Sequence, residues 1–146
     1  MQKNEPPIVI EQKFDNPIET VWAAITDLDR MRQWYFENIP AFKAEVGFET
    51  RFEVNAGERV FPHCWKVTAV KPPELIAYDW RYEGYPGDSR LQIELFRQAV
   101  GTRLKLTHSV SESFPQDIPE FKRESGIAGW NYFIGTRLKE YLEKNR

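Results

Sequence analysis

The hydrophobic pattern of this chain changes its period between the middle and the C-terminal part, and this change restricts the fold more than any other feature. From Ala41 to Val110 apolar side chains alternate with polar ones, most clearly where Phe48, Phe52 and Val54 are separated by charged residues. From Glu120 onward the apolar positions instead recur every three or four residues. Alternation is typical of half-buried strands, and the second period is typical of an amphipathic helix. The pattern therefore predicts a sheet followed by one long C-terminal helix.

The alternating part divides into segments that are separated by short turns. Short segments that contain Gly, Pro or Asn occur at residues 55–57, 72–73, 84–87 and 100–101. Because connections this short join antiparallel neighbours, the segments form a meander. One more strand precedes them near the start of the chain. The predicted strands are Ile8–Phe14, Phe48–Val54, Val60–Val70, Leu75–Tyr82, Arg90–Arg97 and Thr102–Val110.

Two short helices are predicted between the first strand and the rest of the sheet. Asn16 is a good N-cap, Pro17 suits the first helical position, and Glu19 can reach back as in a capping box. Asp29 is predicted to cap the second helix, which ends by Asn38. The apolar stripe of the first helix is Ile18, Val21, Trp22, Ile25 and Leu28, and that of the C-terminal helix is Ile127, Trp130, Ile134, Leu138 and Tyr141.

Length and charge exclude several classes of protein. The 146 residues predict a single domain over residues 1–146, with an ordered core at about 8–142. Lys and Arg total 20 against 22 Asp and Glu, so we expect no nucleic-acid partner. No apolar run approaches the ~20 residues of a membrane span, so we expect no membrane insertion. The polar first seven residues and the single cysteine, Cys64, predict a cytoplasmic location.

No motif in the chain predicts a cofactor or a metal ion. The sequence contains neither a GxxxxGK[ST] loop nor a GxGxxG segment after a strand. His63, Cys64 and His108 are the only histidines and cysteine. Since neighbouring residues of a strand point to opposite faces, His63 and Cys64 do not share an ion. We expect Cys64 to be a small buried hydrophobe rather than a nucleophile.

Aromatic residues make up 14% of the chain, more than a small core needs, and many lie on the predicted inward phases. His63 shares its phase with Phe61 and Trp65, and His108 shares its phase with Leu104. If these phases face the helix, each imidazole offers a donor or an acceptor inside a mainly apolar chamber, as in a small-molecule pocket. For the strand at 75–82 the pattern leaves open which face is inward. Ordinary core packing is the alternative for each residue.

Gly126 and Gly129 lie in the predicted C-terminal helix, where each costs up to ~1 kcal/mol relative to alanine. They share a stripe with Phe133, so we predict that they leave empty volume beside the sheet, with Trp130 at its margin. Close backbone packing or an irregular helix start is the alternative. No catalytic residue is predicted. The predicted ligand-binding residues are Trp34, Phe36, Phe52, His63, Trp65, Tyr78, Trp80, His108, Gly126, Gly129, Trp130 and Phe133.

Four segments at 17–27, 33–35, 129–130 and 138–142 occur in an order that resembles the START-like (SRPBCC) superfamily. The similarity is to its AHSA1 branch, named for the activator of the Hsp90 ATPase, and it extends from about Ile8 to Leu142. The resemblance implies an α+β helix-grip (START/Bet v 1-like) fold. In this fold a curved antiparallel sheet of about six to seven strands surrounds a long C-terminal helix and leaves a cavity. It also implies a lid near Trp34 and Phe36.

Members of that superfamily bind lipids, sterols, polyketides or hormones, and some catalyse cyclisation or dehydration. We therefore predict that the chain binds a small, mainly hydrophobic or aromatic molecule between the sheet and the C-terminal helix. One alternative is a cyclase- or dehydratase-type enzyme that uses His108 in the same cavity. The other is a module that interacts with an Hsp90-type chaperone.

Overall fold

The computed structural model describes residues 1–145 and contains one six-stranded antiparallel sheet. Its strands are β1 (Ile8–Phe14), β2 (Glu49–Ala56), β3 (Arg59–Lys71), β4 (Leu75–Tyr82), β5 (Asp88–Arg97) and β6 (Thr102–Glu112). The strand order is β1-β6-β5-β4-β3-β2, so β1 and β2 form the two edges. From β2 to β6 each strand pairs with the next one along the chain. The predicted meander is confirmed.

The helices occur where the sequence predicts them, two after the first strand and one at the C-terminal end of the sheet. Helices α1 (Ile18–Thr26) and α2 (Leu28–Trp34) connect β1 to β2. After β6 and a 3-10 turn (Pro119–Phe121), the C-terminal helix comprises α3 (Arg123–Tyr132), a π-helical segment (Phe133–Leu138) and α4 (Lys139–Lys144). This is the predicted α+β helix-grip arrangement. Within residues 1–145, none of the helices combines the length and the apolar character that a membrane crossing demands.

Alternate residues of the central strands point into the core, and this alternation places the site. β3 buries Phe61, His63, Trp65 and Val67, the phase that the sequence predicts. On β4 the buried residues Tyr78 and Trp80 face inward, while Arg81 is exposed on the other side. Trp80 lies directly opposite Trp65 in the β3–β4 register. The orientation of β4, which the pattern leaves open, thereby brings two tryptophans side by side.

The C-terminal helix buries a row of residues at a constant spacing of four, namely Trp130, Ile134, Leu138 and Leu142. In a regular α-helix, which turns by about 100° per residue, such a row drifts by about 40° at each step. The π-helical segment has hydrogen bonds that span five residues, so it is wound less tightly and reduces this drift. The row therefore stays on the side of the helix that faces the core.

The cap predicted for the first helix is wrong. The residue before α1 is Pro17, and no side chain caps this helix. Asn16 is buried, and its side-chain amide donates a hydrogen bond to the Leu142 carbonyl at 3.1 Å. The Asn16 carbonyl accepts a hydrogen bond from Thr102 Oγ1 at 2.8 Å. Asn16 thus connects the end of β1 to the C-terminal helix, a tertiary role that replaces capping.

Three other predicted boundaries are also wrong. Helix α2 begins at Leu28 after Asp27, so Asp29 lies inside its first turn. Strand β2 begins at Glu49 and ends at Ala56, whereas the prediction is Phe48–Val54. The C-terminal helix begins at Arg123 rather than near Glu120, because a 3-10 turn occupies Pro119–Phe121.

Candidate ligand-binding site

A cavity of about 160 Å³ lies between the first turns of the C-terminal helix and the inward face of the sheet. Eight of its lining residues belong to the predicted site: Phe36, His63, Trp80, His108, Gly126, Gly129, Trp130 and Phe133. The other lining residues are Met1, Tyr82, Glu120 and Ser125. Most of this wall is aromatic, as a pocket for a small apolar molecule requires.

Four predicted residues lie outside the cavity wall. Trp34 anchors α2 on α1, because its indole N–H donates a hydrogen bond to the Ala24 carbonyl at 2.8 Å. Phe52 stacks on His63 with ring centroids 5.1 Å apart, and Trp65 meets Phe52 edge-on at 4.9 Å. The Tyr78 hydroxyl is hydrogen-bonded to another buried tyrosine, Tyr35, at 3.1 Å. Phe52, Trp65 and Tyr78 therefore form a packed aromatic layer behind the site.

The prediction omits four lining residues, and the sequence signals that could have identified them differ in strength. Tyr82 follows Trp80 on the same phase of β4, so alternation alone could have found it. Glu120 and Ser125 flank the helix start, whose irregularity the pattern hides. Met1 reaches the site because its carbonyl accepts a hydrogen bond from the Phe114 amide at 3.0 Å. That contact joins distant parts of the chain, and no local sequence signal marks it.

The two glycines of the C-terminal helix have different environments. A Cβ atom at Gly129 would meet no atom within 4 Å, so this position opens onto empty space. A Cβ atom at Gly126 would lie 3.0 Å from Ile8 Cδ1 and 3.1 Å from Met1 Sδ. Gly129 therefore fits the predicted empty volume, whereas Gly126 fits the close-packing alternative.

His108 is held by hydrogen bonds at both ring nitrogens. Trp130 Nε1 donates to His108 Nδ1 at 3.2 Å, so the ring proton is on Nε2, which donates to Ser89 Oγ at 2.8 Å. Ser89 Oγ donates in turn to the Trp80 carbonyl at 2.7 Å. Burial lowers the pKa of His108 to about 4, and a nearby N-terminal ammonium acts in the same direction. At neutral pH His108 is thus an uncharged ring whose polar atoms already have protein partners.

Replacing Ser89 by alanine is expected to lower the free energy of unfolding by about 1–3 kcal/mol, because it leaves the buried His108 Nε2–H without an acceptor. Urea denaturation at pH 7 measures this loss. Ser109→Ala is the matched control, since Ser109 lies beside His108 on β6 and its side chain makes no hydrogen bond within residues 1–145. Equal effects of the two substitutions would contradict the assigned hydrogen-bond chain.

His63 leaves one ring nitrogen available. Its Nδ1 donates to the Phe61 carbonyl at 2.8 Å, so Nε2 carries a lone pair. No group within residues 1–145 is hydrogen-bonded to this Nε2. Burial lowers the pKa of His63 to about 4, while the bond to Phe61 acts in the opposite direction. His63 therefore presents a neutral hydrogen-bond acceptor from the cavity wall.

The neighbouring residues Trp80 and Tyr82 also line the cavity. The Trp80 indole N–H is fully buried and makes no hydrogen bond of normal geometry among the described residues, although it is close enough to the Tyr82 hydroxyl to affect its pKa. Burial raises the pKa of the Tyr82 hydroxyl, and the nearby Trp80 indole acts in the opposite direction. The His63 ring lies 5.3 Å from Trp80 and 4.8 Å from Tyr82, measured between centroids. The rings of His63, Trp80 and Tyr82 thus lie together at one side of the cavity.

Phe36 lines both the cavity and a groove of about 470 Å³, whose lining residues also include Arg32 and Arg137. The Phe36 ring contacts Phe133 and His63, with centroids 4.9 and 5.1 Å apart. The lid that the resemblance implies near Phe36 stays a prediction.

A sheet that grips a C-terminal helix around an aromatic cavity defines a START-like α+β protein. The sequence matches the family described as activator of Hsp90 ATPase homolog 1-like protein over residues 15–143, and the chain belongs to this family. No curated protein sequence matches the chain. Among the residues that the structure describes, no three His, Cys, Asp or Glu side chains are placed to hold a metal ion.

Several solved structures share this fold. Protein MLL2253 from Mesorhizobium loti is 24% identical, with a TM-score of 0.76 over 96% of this chain and 98% of that protein. Protein CV1439 from Chromobacterium violaceum is 22% identical, with a TM-score of 0.79 over 94% and 97% of the two chains. DynU16, described as a protein in the dynemicin biosynthetic locus, is 26% identical with a TM-score of 0.75. That match covers 97% of this chain and 49% of DynU16.

Proposed function

We propose that this protein binds a small, mainly hydrophobic molecule in the cavity between the sheet and the C-terminal helix. The observation that carries the proposal is the empty space at Gly129, which opens into a wall of aromatic side chains. A cavity of about 160 Å³ is close in size to the engineered apolar cavity of ~150 Å³ that binds benzene in another protein. A ligand of one ring therefore fits better than a sterol or a lipid chain.

A single-ring ligand at 100 times its Kd is expected to stabilise the protein by ~2.7 kcal/mol. For a chain of this length that free energy corresponds to a rise in Tm of roughly 5 to 10 °C. Thermal unfolding with benzene, toluene, phenol and indole measures the shift, and native mass spectrometry detects a molecule that co-purifies. No shift with any of these compounds, together with no bound molecule, would refute the proposal.

Two alternative functions, an enzyme and a module that binds an Hsp90-type chaperone, are each favoured by a different comparison. The location of DynU16 in a biosynthetic locus favours an enzyme of the cyclase or dehydratase type. Against this, the pKa values of His63 and His108 are lowered to about 4, whereas a general base works best when its pKa is near the working pH.

The family description favours an Hsp90-type partner, and a pull-down with Hsp90 tests it. The exposed large hydrophobic residues Val9, Val46, Val60, Val100 and Tyr132 are spread over the chain.

A further inference from the structure

Residues 1–7, here called the N-terminal strap, lie beside the segment that joins β6 to the C-terminal helix. The Met1 carbonyl accepts a hydrogen bond from the Phe114 amide at 3.0 Å. The Lys3 backbone N–H donates to Ser113 Oγ at 2.8 Å. Both partners follow the end of β6, so the strap is attached close to the point where the C-terminal helix begins.

Met1 is the one residue of the strap that is buried, with 8% of its surface exposed. It lines the cavity beside the first turn of the C-terminal helix. Its sulfur lies 3.1 Å from the position that a Cβ atom at Gly126 would take. The Met1 side chain therefore occupies space between the helix and the sheet, and the cavity of about 160 Å³ is the volume that remains beside it.

The strap is the wall of the cavity that opens most easily. Its residues 2–7 are exposed or half-buried, and segments with few buried apolar contacts open locally far more readily than core strands and helices do. Most of the other lining residues belong to β3, β4, β6 and the C-terminal helix, which cannot move without disrupting the core. The Met1 side chain is also unbranched and flexible. Met1 can thus leave the cavity while the other walls stay in place.

We propose that the N-terminal strap controls the size of the ligand. With Met1 in the cavity there is room for one aromatic ring, and when the strap detaches there is room for two fused six-membered rings. This inference rests on the proposed function and adds a regulation of the same site. The larger ligand binds only the open state, so its affinity falls when the strap is held closed. A single-ring ligand fits both states, and its affinity does not depend on the strap.

A reversible disulfide tests the proposal. The hydrogen bond from Lys3 N to Ser113 Oγ keeps the two Cα atoms within ~7 Å of each other, the upper limit for a disulfide. The variant carries Lys3→Cys and Ser113→Cys, together with Cys64→Ser to remove the natural thiol. Oxidation holds the strap closed, and dithiothreitol releases it. Titration calorimetry at pH 7 then compares both states of one protein.

We expect oxidation of this variant to raise the Kd of naphthalene at least about tenfold, because the open state is no longer accessible. The Kd of toluene, which has one ring, should change less than about twofold. Toluene thus controls for any distortion of the cavity that the disulfide causes.

Arg123→Ala loosens the strap without a cross-link, because the Arg123 guanidinium donates a hydrogen bond to the Pro6 carbonyl. We expect the Kd of naphthalene to fall about threefold as the open state becomes more populated, and the Kd of toluene to stay the same. Arg81→Ala is the matched control, since Arg81 is exposed on β4 and does not line the cavity. It should leave both Kd values unchanged.

The outcomes distinguish this inference from the proposed function. If naphthalene binds equally well to the oxidised and reduced variant, binds neither state, or is weakened no more than toluene, the strap proposal is overturned while toluene binding stands. If neither compound binds the wild type, the proposed function fails as well. Where the disulfide does not form, an unchanged naphthalene Kd in Arg123→Ala overturns the strap proposal.

Discussion

Lowering the pH from 7 to 4 is expected to reduce the free energy of unfolding by up to about 6 kcal/mol, through two buried histidines. The pKa values of His63 and His108 are each lowered from 6.5 to about 4, mainly by burial. Between pH 7 and pH 4, a pKa lowered to this extent corresponds to about 3 kcal/mol for each histidine. Because domains have a total stability of ~5–15 kcal/mol, a loss of this size is enough to unfold many of them.

The direction of the effect follows from proton uptake. Between about pH 6.5 and pH 4 the unfolded chain binds protons at both histidines, whereas the folded protein does not. Acid therefore favours the unfolded state throughout this range, and the stability is restored as the pH rises towards 7. Urea denaturation at pH 7.0, 5.5 and 4.0 measures the loss. His63→Gln, which does not titrate, should remove about half of the slope, and a free energy that is constant between pH 6.5 and 4 would contradict the lowered pKa values.

Replacing Gly129 by leucine is expected to weaken binding of a single-ring ligand at least about 100-fold, because the side chain fills the space that the ligand needs. The same change should leave the free energy of unfolding equal or raise it by up to ~1 kcal/mol, since leucine favours a helix more than glycine does. The open space at Gly129 is the reason for both expectations. Calorimetry with toluene and urea denaturation measure them.

Gly126→Leu provides the matched comparison one turn earlier. There the new side chain would press on Ile8 Cδ1 and Met1 Sδ, which lie 3.0 and 3.1 Å from the position that its Cβ atom would take. Overpacking of this kind costs ~1–3 kcal/mol, so we expect this variant to be less stable than the wild type. A clear loss of stability in Gly129→Leu, or full binding by that variant, would refute the assignment of the cavity.

Alternation and helical spacing are sufficient to predict most of this fold from the sequence. The strand Ile8–Phe14 and the strand Leu75–Tyr82 are predicted to the residue, because turn-forming residues or polar caps bound them on both sides. The inward position of His63 and His108 follows from period-two alternation, which one buried face makes strict. The open position at Gly129 is indicated by a glycine that helix propensity alone does not explain.

The remaining features depend on contacts between distant residues. Asn16 fits an N-cap by type, yet it bonds to Leu142, which is 126 residues away. The hydrogen bonds of His108 involve Ser89 and Trp130, whose distances from it no local pattern specifies. Phe52 shares an inward-facing environment with the cavity residues, but neighbouring aromatic rings cover it. Alternation predicts which face a residue takes, and the packing of other elements decides whether it reaches the cavity.

The π-helical segment at Phe133–Leu138 divides the C-terminal helix into two parts that could change length independently in evolution. The part before it carries Gly129 and Trp130 at the cavity, and the part after it receives the hydrogen bond from Asn16 at Leu142. In a regular helix one inserted residue rotates everything beyond it by about 100°. A looser turn between the two parts absorbs such an insertion. Descendants of one ancestral sequence could thus reshape the pocket without losing the attachment of the helix to the first strand.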